Sequence, residues 1–159
     1  MIRPMKQHVR RGLTGLGGFT VAELVIVVVV MGVLMGIMAP RIGRALVQQS
    51  VRSARGGVVS MHATAKAAAV QRSTRTVLVL SGGSLVIRAP HPVIPGQVDT
   101  VGSPLNVPTR YGVTLTTSRD SLMFDPRGIG IEAGPTTVIV QKGEFADTVS
   151  ISAAGRVLR

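Results

Sequence analysis

The sequence predicts an α+β fold, a long N-terminal helix packed on an antiparallel β-sheet, from three observations. Residues 19–39 form an apolar run with a single charge, residues 40–73 carry a helical periodicity, and residues 74–159 break into short Thr- and Val-rich runs separated by Gly and Pro. Residues 1–18 read as a basic leader ahead of these segments.

Composition narrows the function classes. The 159 residues hold no Cys, which excludes structural disulfides and thiolate metal sites. Three Phe, one Tyr and no Trp argue against an aromatic platform for bases or sugars. The formal charge is +11; residues 1–18 supply four cations (Arg3, Lys6, Arg10, Arg11) and no acid, leaving +7 for the rest. A surface of that sign suits anionic lipid, nucleic acid or an acidic protein.

The run 19–39 is 21 residues long with Glu23 as its one charge. As a helix it extends roughly 30 Å, the thickness of a bilayer core. Its segment Val25-Ile26-Val27-Val28-Val29-Val30 is β-branched and would favour a strand in water. In lipid each backbone group must pair within its own segment, so a helix is expected. A cleaved secretory signal fits poorly, because a cut after Ala39 has Ile37 three residues before it and Pro40 behind it. A plain signal anchor explains the span but not Glu23 or the glycines ahead of it. Gly15-Leu16-Gly17-Gly18 lacks the preceding strand and third Gly of a dinucleotide loop.

A carboxylate near the hydrocarbon costs about 2.5–3.5 kcal/mol at mid-membrane and less toward the interface. Glu23 therefore needs a partner or a path to water. If the chain is cut after Gly18, Phe19 gains a free amine about one helical turn away. Amine and carboxylate then neutralise each other within one chain or between staggered neighbours.

Gly18-Phe19-Thr20-Val21-Ala22-Glu23-Leu24, with its basic leader and apolar continuation, resembles the cleavage and methylation motif of type IV prepilins. The resemblance implies a pilin-like fold, cleavage between Gly18 and Phe19 by a prepilin peptidase, N-methylation of Phe19, and a role for Glu23 in registering subunits. Gly32 and Gly36 form a small-xxx-small pair that lets membrane helices approach. Pro40 removes a helix hydrogen bond and is expected to disturb the turn before it. In the pilin family the segment between such a glycine and proline tends to unwind on assembly.

Residues 41–72 continue the helix, with a weak point at Gly56-Gly57. On a helical wheel Arg41, Arg44, Arg52, Arg55 and Lys66 share one sector, and Ile42, Leu46, Ala54, Val58, Met61, Ala65 and Ala68 lie broadly opposite. The apolar face is expected to pack on a sheet. The basic sector faces headgroups, neighbouring subunits, polyanions or plain solvent. His62 falls at the edge of that sector and reads as a surface histidine.

From Thr76 the pattern becomes strands. Thr76–Leu80 and Leu85–Ile87 flank Ser81-Gly82-Gly83-Ser84 as a hairpin, and Ala89 to Arg110, with five of the nine prolines, reads as a long extended loop. Further strands are expected at 112–116, 121–124, 129–131, 136–140 and 147–152, with a turn at Asp125-Pro126-Arg127-Gly128. Ala67 to Ser73, the Phe124-Asp125-x-x-Gly128 turn and the terminal Gly155-Arg156-Val157 are similar to the GspH/FimT branch of pseudopilins. A Gly-Arg-x-Arg end occurs in minor pilins of DNA uptake; here Leu158 takes the place of the second Arg and Arg159 follows it.

His8, His62 and His91 have no ligand spacing, and the acids are scattered, with Arg119 and Arg127 as simple partners for Asp120 and Asp125. No catalytic role, metal or cofactor is expected. The resemblance implies a minor pseudopilin of a type II secretion system, anchored once in the inner membrane with residues 74–159 in the periplasm. Its partners would be other pilins or pseudopilins, the prepilin peptidase and inner-membrane lipid. A minor pilin of a type IV pilus is the second reading. A membrane-anchored domain that binds polyanions such as nucleic acid through Arg41, Arg44, Arg52, Arg55, Lys66, Arg156 and Arg159, without polymerising, is the third.

Overall fold

The computed structural model describes residues 18–158, the Pro40 side chain excepted; residues 1–17, within the expected leader, and Arg159 lie outside the described residues. The chain divides into two units, Met1–Pro40 and Arg41–Arg159, and helix α1 (Val21–Arg72) contributes to both. The β-branched run Val25–Val30 is helical, as expected for a segment that reads as lipid-embedded.

In the second unit α1 buries one row, Val51, Ala54, Val58, His62, Ala65 and Ala69, spaced three and four apart. Strands of two antiparallel sheets complete the core. The first sheet contains β1 (Thr76–Ser81), β2 (Ser84–Pro90), β3 (Val98–Thr100), β4 (Leu105–Asn106) and β6 (Ser121–Phe124), with β1 between β2 and β6 and with β3 and β4 both pairing β2. The second has the order β5 (Thr114–Thr117), β7 (Thr136–Lys142), β8 (Phe145–Ile151), β9 (Val157–Leu158). Alternate residues point inward: Leu78 and Leu80 from β1, Leu85 and Ile87 from β2, Val138 and Val140 from β7, Val149 and Ile151 from β8.

The β1–β2 hairpin turns on Gly82 and Gly83, both at positive φ (57° and 77°), the two-residue loop that suits the strand twist. The expected loop from Ala89 to Arg110 is not a loop throughout. It holds the end of β2, all of β3 and β4, and a short helix α2 (Val107–Tyr111). Asn106 Oδ1 caps α2 by accepting from Thr109 N at 2.9 Å, and Gly112 closes it at φ 62°. Strands of two or three residues leave no period to read. The expected strand at 129–131 reduces to one bridge, between Phe124 and Gly130.

Nor is Gly56-Gly57 a weak point, because α1 runs through it. A Cβ on Gly57 would stand 3.0 Å from Tyr111 Oη and 3.2 Å from Leu105 Cδ2, so this glycine makes room for the α2 region against α1. Pro40, where a disturbed turn is expected, lies within the span of α1.

Candidate functional site

The motif at the start of α1 is a helix-capping device. Gly18, Phe19 and Thr20 lie outside the helix. Thr20 Oγ1 accepts from Glu23 N at 3.2 Å, and Glu23 Oε2 accepts from Thr20 N at 3.2 Å and from Thr20 Oγ1 at 3.3 Å. Leu24 N then donates to Thr20 O, the first bond of the helical ladder. This is a reciprocal capping box, in which a Thr and a Glu three residues apart satisfy two orphan donors. Phe19, just before the cap, and Leu24, one turn in, border one apolar surface hollow, the arrangement of a hydrophobic staple. Glu23 thus has a local partner in the intact chain, without a free amine. The Thr-x-x-Glu spacing carried this signal, and reading Glu23 only as a charge in lipid missed it.

Every side chain from Phe19 to Ala39 is exposed. A Cβ added at Gly18, Gly32 or Gly36 meets nothing within 4 Å, so this chain's own packing does not require glycine at any of the three. By length and composition this part of α1 can cross a membrane.

The basic sector of α1 divides in two. Arg41, Arg44 and Arg52 are exposed. Arg55 instead faces Asp147 of β8, Nε to Oδ1 at 3.5 Å, and Lys66 Nζ donates to the Gly155 carbonyl at 3.1 Å. Of the expected apolar face, Ile42 and Leu46 are exposed, and burial starts only at Val51.

His62 is not on the surface: it is 3% exposed. Its ring meets Phe124 of β6 edge to face, and Nε2 is buried without a hydrogen-bond partner. Burial, and next the Lys66 ammonium, push its pKa from 6.5 down to about 4. The wheel failed here because strands of both sheets reach the helix. Phe124 of β6 contacts His62 while Asp147 of β8 meets Arg55, so a wider arc is covered than packing on one sheet would give.

The C-terminal Gly155-Arg156 pair forms a tight turn. Gly155 has φ 72° and donates to Ser152 O, while Ser152 Oγ accepts from Arg156 N at 3.0 Å. The Arg156 side chain is exposed; Arg159 lies outside the described residues. The turn at Asp125 forms as expected, with Oδ1 accepting from Arg127 N and Ile129 N and Oδ2 from Arg127 Nε. The Ile129 N–H, and Arg127 through side chain and backbone, hold the Asp125 carboxyl below its ordinary range against a counteracting effect of burial. Arg119, however, pairs with Glu132 at 3.0 Å and not with Asp120.

No family model matches the sequence, and no curated protein matches it. Two solved structures resemble the fold, both crystal forms of the type IV minor pilin FimU of Pseudomonas aeruginosa (strain PAO1). One is 19% identical with a TM-score of 0.55, over 70% of this chain and 88% of that one. The other is 20% identical with a TM-score of 0.51, over 67% and 90%. What this chain shares with them is the fold, a long N-terminal helix packed on antiparallel sheets as in a type IV pilin.

Proposed function

We propose that this chain is a minor subunit of a pilin-like filament, made as a precursor, cut between Gly18 and Phe19, methylated at Phe19 and held in the inner membrane by α1 until assembly. One observation carries the reading: a helix surface from Phe19 to Ala39 that is apolar and wholly exposed, headed by the prepilin-like motif and continuous with a domain of pilin fold. Such a surface is stable only against lipid or other apolar helices, and a filament core supplies the second when a subunit leaves the first. The subunit's work is mechanical, with no cofactor and no catalytic step. Gly32 and Gly36 would let neighbouring helices close up, and Glu23 would set their register against a freed Phe19 amine.

The family traits at Ala67–Ser73 and Gly155-Arg156-Val157 support a pseudopilin of a type II secretion system, with residues 74–159 in the periplasm. The fold likeness to FimU favours the second reading, a minor pilin of a type IV pilus. Mass spectrometry of the mature protein from membranes tests the shared part. An N-terminus at N-methyl-Phe19 is expected, and an intact leader on assembled protein would refute it. Loss of secretion or loss of pili on deleting the gene then separates the two systems.

A further inference from the structure

An open groove of about 640 Å³ lies between the C-terminal third of α1, the Asp125–Ile129 turn and the turn before β9. Its floor is aliphatic: Val70 is 51% exposed and Ile129 44%, with Ala154 beside them. Its rim is cationic, formed by Lys66, Arg127 and Arg156. Arg127 uses only Nε on Asp125 and its side chain is 80% exposed. Lys66 gives one hydrogen bond to Gly155 O, leaving two of its donors. Arg156 makes no side-chain bond or ion pair among the described residues.

We propose that this groove docks an acidic peptide segment bearing aliphatic side chains, contributed by a protein other than this chain. Carboxylates would meet the rim, where guanidinium groups donate paired hydrogen bonds to their oxygens, and an aliphatic side chain would cover Val70 and Ile129. A second copy of this chain does not supply that segment. Among the described residues of the second unit, Asp99, Asp125, Glu132 and Asp147 are already ion-paired, which leaves Asp120 and Glu144, far apart in sequence. Nucleic acid fits the rim but not the floor, because phosphates would leave the aliphatic residues uncovered and no aromatic ring among the described residues lines the groove for a base to stack on. The inference stands on the second unit alone and holds whether or not the N-terminus is processed.

The test uses the full chain in detergent micelles, with empty micelles as the background. Fluorescence anisotropy is read with three labelled probes: a short peptide alternating Glu and Leu, an all-Glu peptide of equal length, and an oligothymidine. The Glu-Leu peptide is expected to bind best, and salt should weaken it. Arg127→Gln with Arg156→Gln should weaken it on the order of tenfold, as lost charge-assisted hydrogen bonds would. Ile129→Ser, at an exposed position, should weaken it several-fold while leaving the all-Glu peptide unchanged. The proposal is overturned if the wild-type chain does not bind the Glu-Leu peptide, if these variants bind it as the wild type does, or if oligothymidine binds more tightly than the peptide.

Discussion

His62 of α1 and Phe124 of β6 meet edge to face, their ring centroids 5.3 Å apart at an interplanar angle of 76°. The contact lies in the core, where water cannot solvate an imidazolium, and Lys66 one turn along the helix adds repulsion. His62 is therefore neutral when folded, with its pKa pushed down to about 4.

That depression makes stability depend on pH with a defined sign. Between the folded value near 4 and the ordinary value of 6.5, the unfolded chain binds a proton that the folded chain does not. The contribution is intact above the upper value and is lost as pH falls toward the lower one, by roughly 3 kcal/mol in all. Denaturant midpoints of the full chain in micelles should fall across this window, and His62→Leu should flatten the fall. An equal slope in the variant would assign the effect to other groups. Asp125, whose pKa is lowered from its ordinary value, loses its contribution as pH falls through that ordinary value, at and below the lower end of this window.

Two glycines should respond oppositely to alanine. At Gly130 an added Cβ would stand 2.6 Å from Ala153 O and 2.6 Å from Gly155 N, both backbone atoms of the turn before β9. Nothing there can yield cheaply, so Gly130→Ala should cost about 2 kcal/mol or more, in the range of overpacked cores. At Gly56 the added Cβ meets nothing within 4 Å and the residue lies inside a helix, so Gly56→Ala should stabilise by about 0.5–1 kcal/mol. Thermal melts of the two variants measured side by side check the contrast; a destabilised Gly56→Ala would show that its surroundings are not open.

Glu132 is a further test of the core's polar edge. Its side chain is 9% exposed, and it accepts from Met123 N at 2.8 Å and from Arg119 at 3.0 Å. Glu132→Ala leaves the Met123 N–H without its acceptor, at a cost of about 1–3 kcal/mol, whereas Glu132→Gln can keep one bond and should cost less. Equal unfolding midpoints for the two variants would rule this role out.

How much of this was legible in the sequence depended on whether the signal was local. The helix, the hairpin at Gly82-Gly83 and the Asp125 turn each announce themselves within a few residues, through hydropathy, paired glycines or an Asp-Pro start. The long loop was misread because β3 and β4 owe their pairing to β2, not to their own pattern. His62 and Lys66 were misplaced for a related reason. A wheel gives the direction of each side chain but not which strands arrive to cover it, and their contacts are 62 and 89 residues away. At the N-terminus the residues were found and one of their jobs was not, since Thr20 and Glu23 bond to each other whatever Glu23 does later.

That double role of Glu23 can be separated by one substitution. Capping needs an acceptor three residues after Thr20, and Gln serves in that position as Glu does. Registration against a freed amine needs negative charge, which Gln lacks. Glu23→Gln should therefore leave the start of α1 intact, seen as unchanged amide hydrogen exchange at 20–24 in micelles, and should leave membrane insertion intact. Incorporation into filaments should drop on the order of tenfold or more, the scale for losing a charge pair in a desolvated setting. Glu23→Ala should lose both, with faster exchange at 20–24 as the added sign, and Thr20→Val should loosen the cap while sparing the charge. If Glu23→Gln assembles as well as the wild type, the carboxylate's work ends at the cap and subunit register must come from the apolar surface alone.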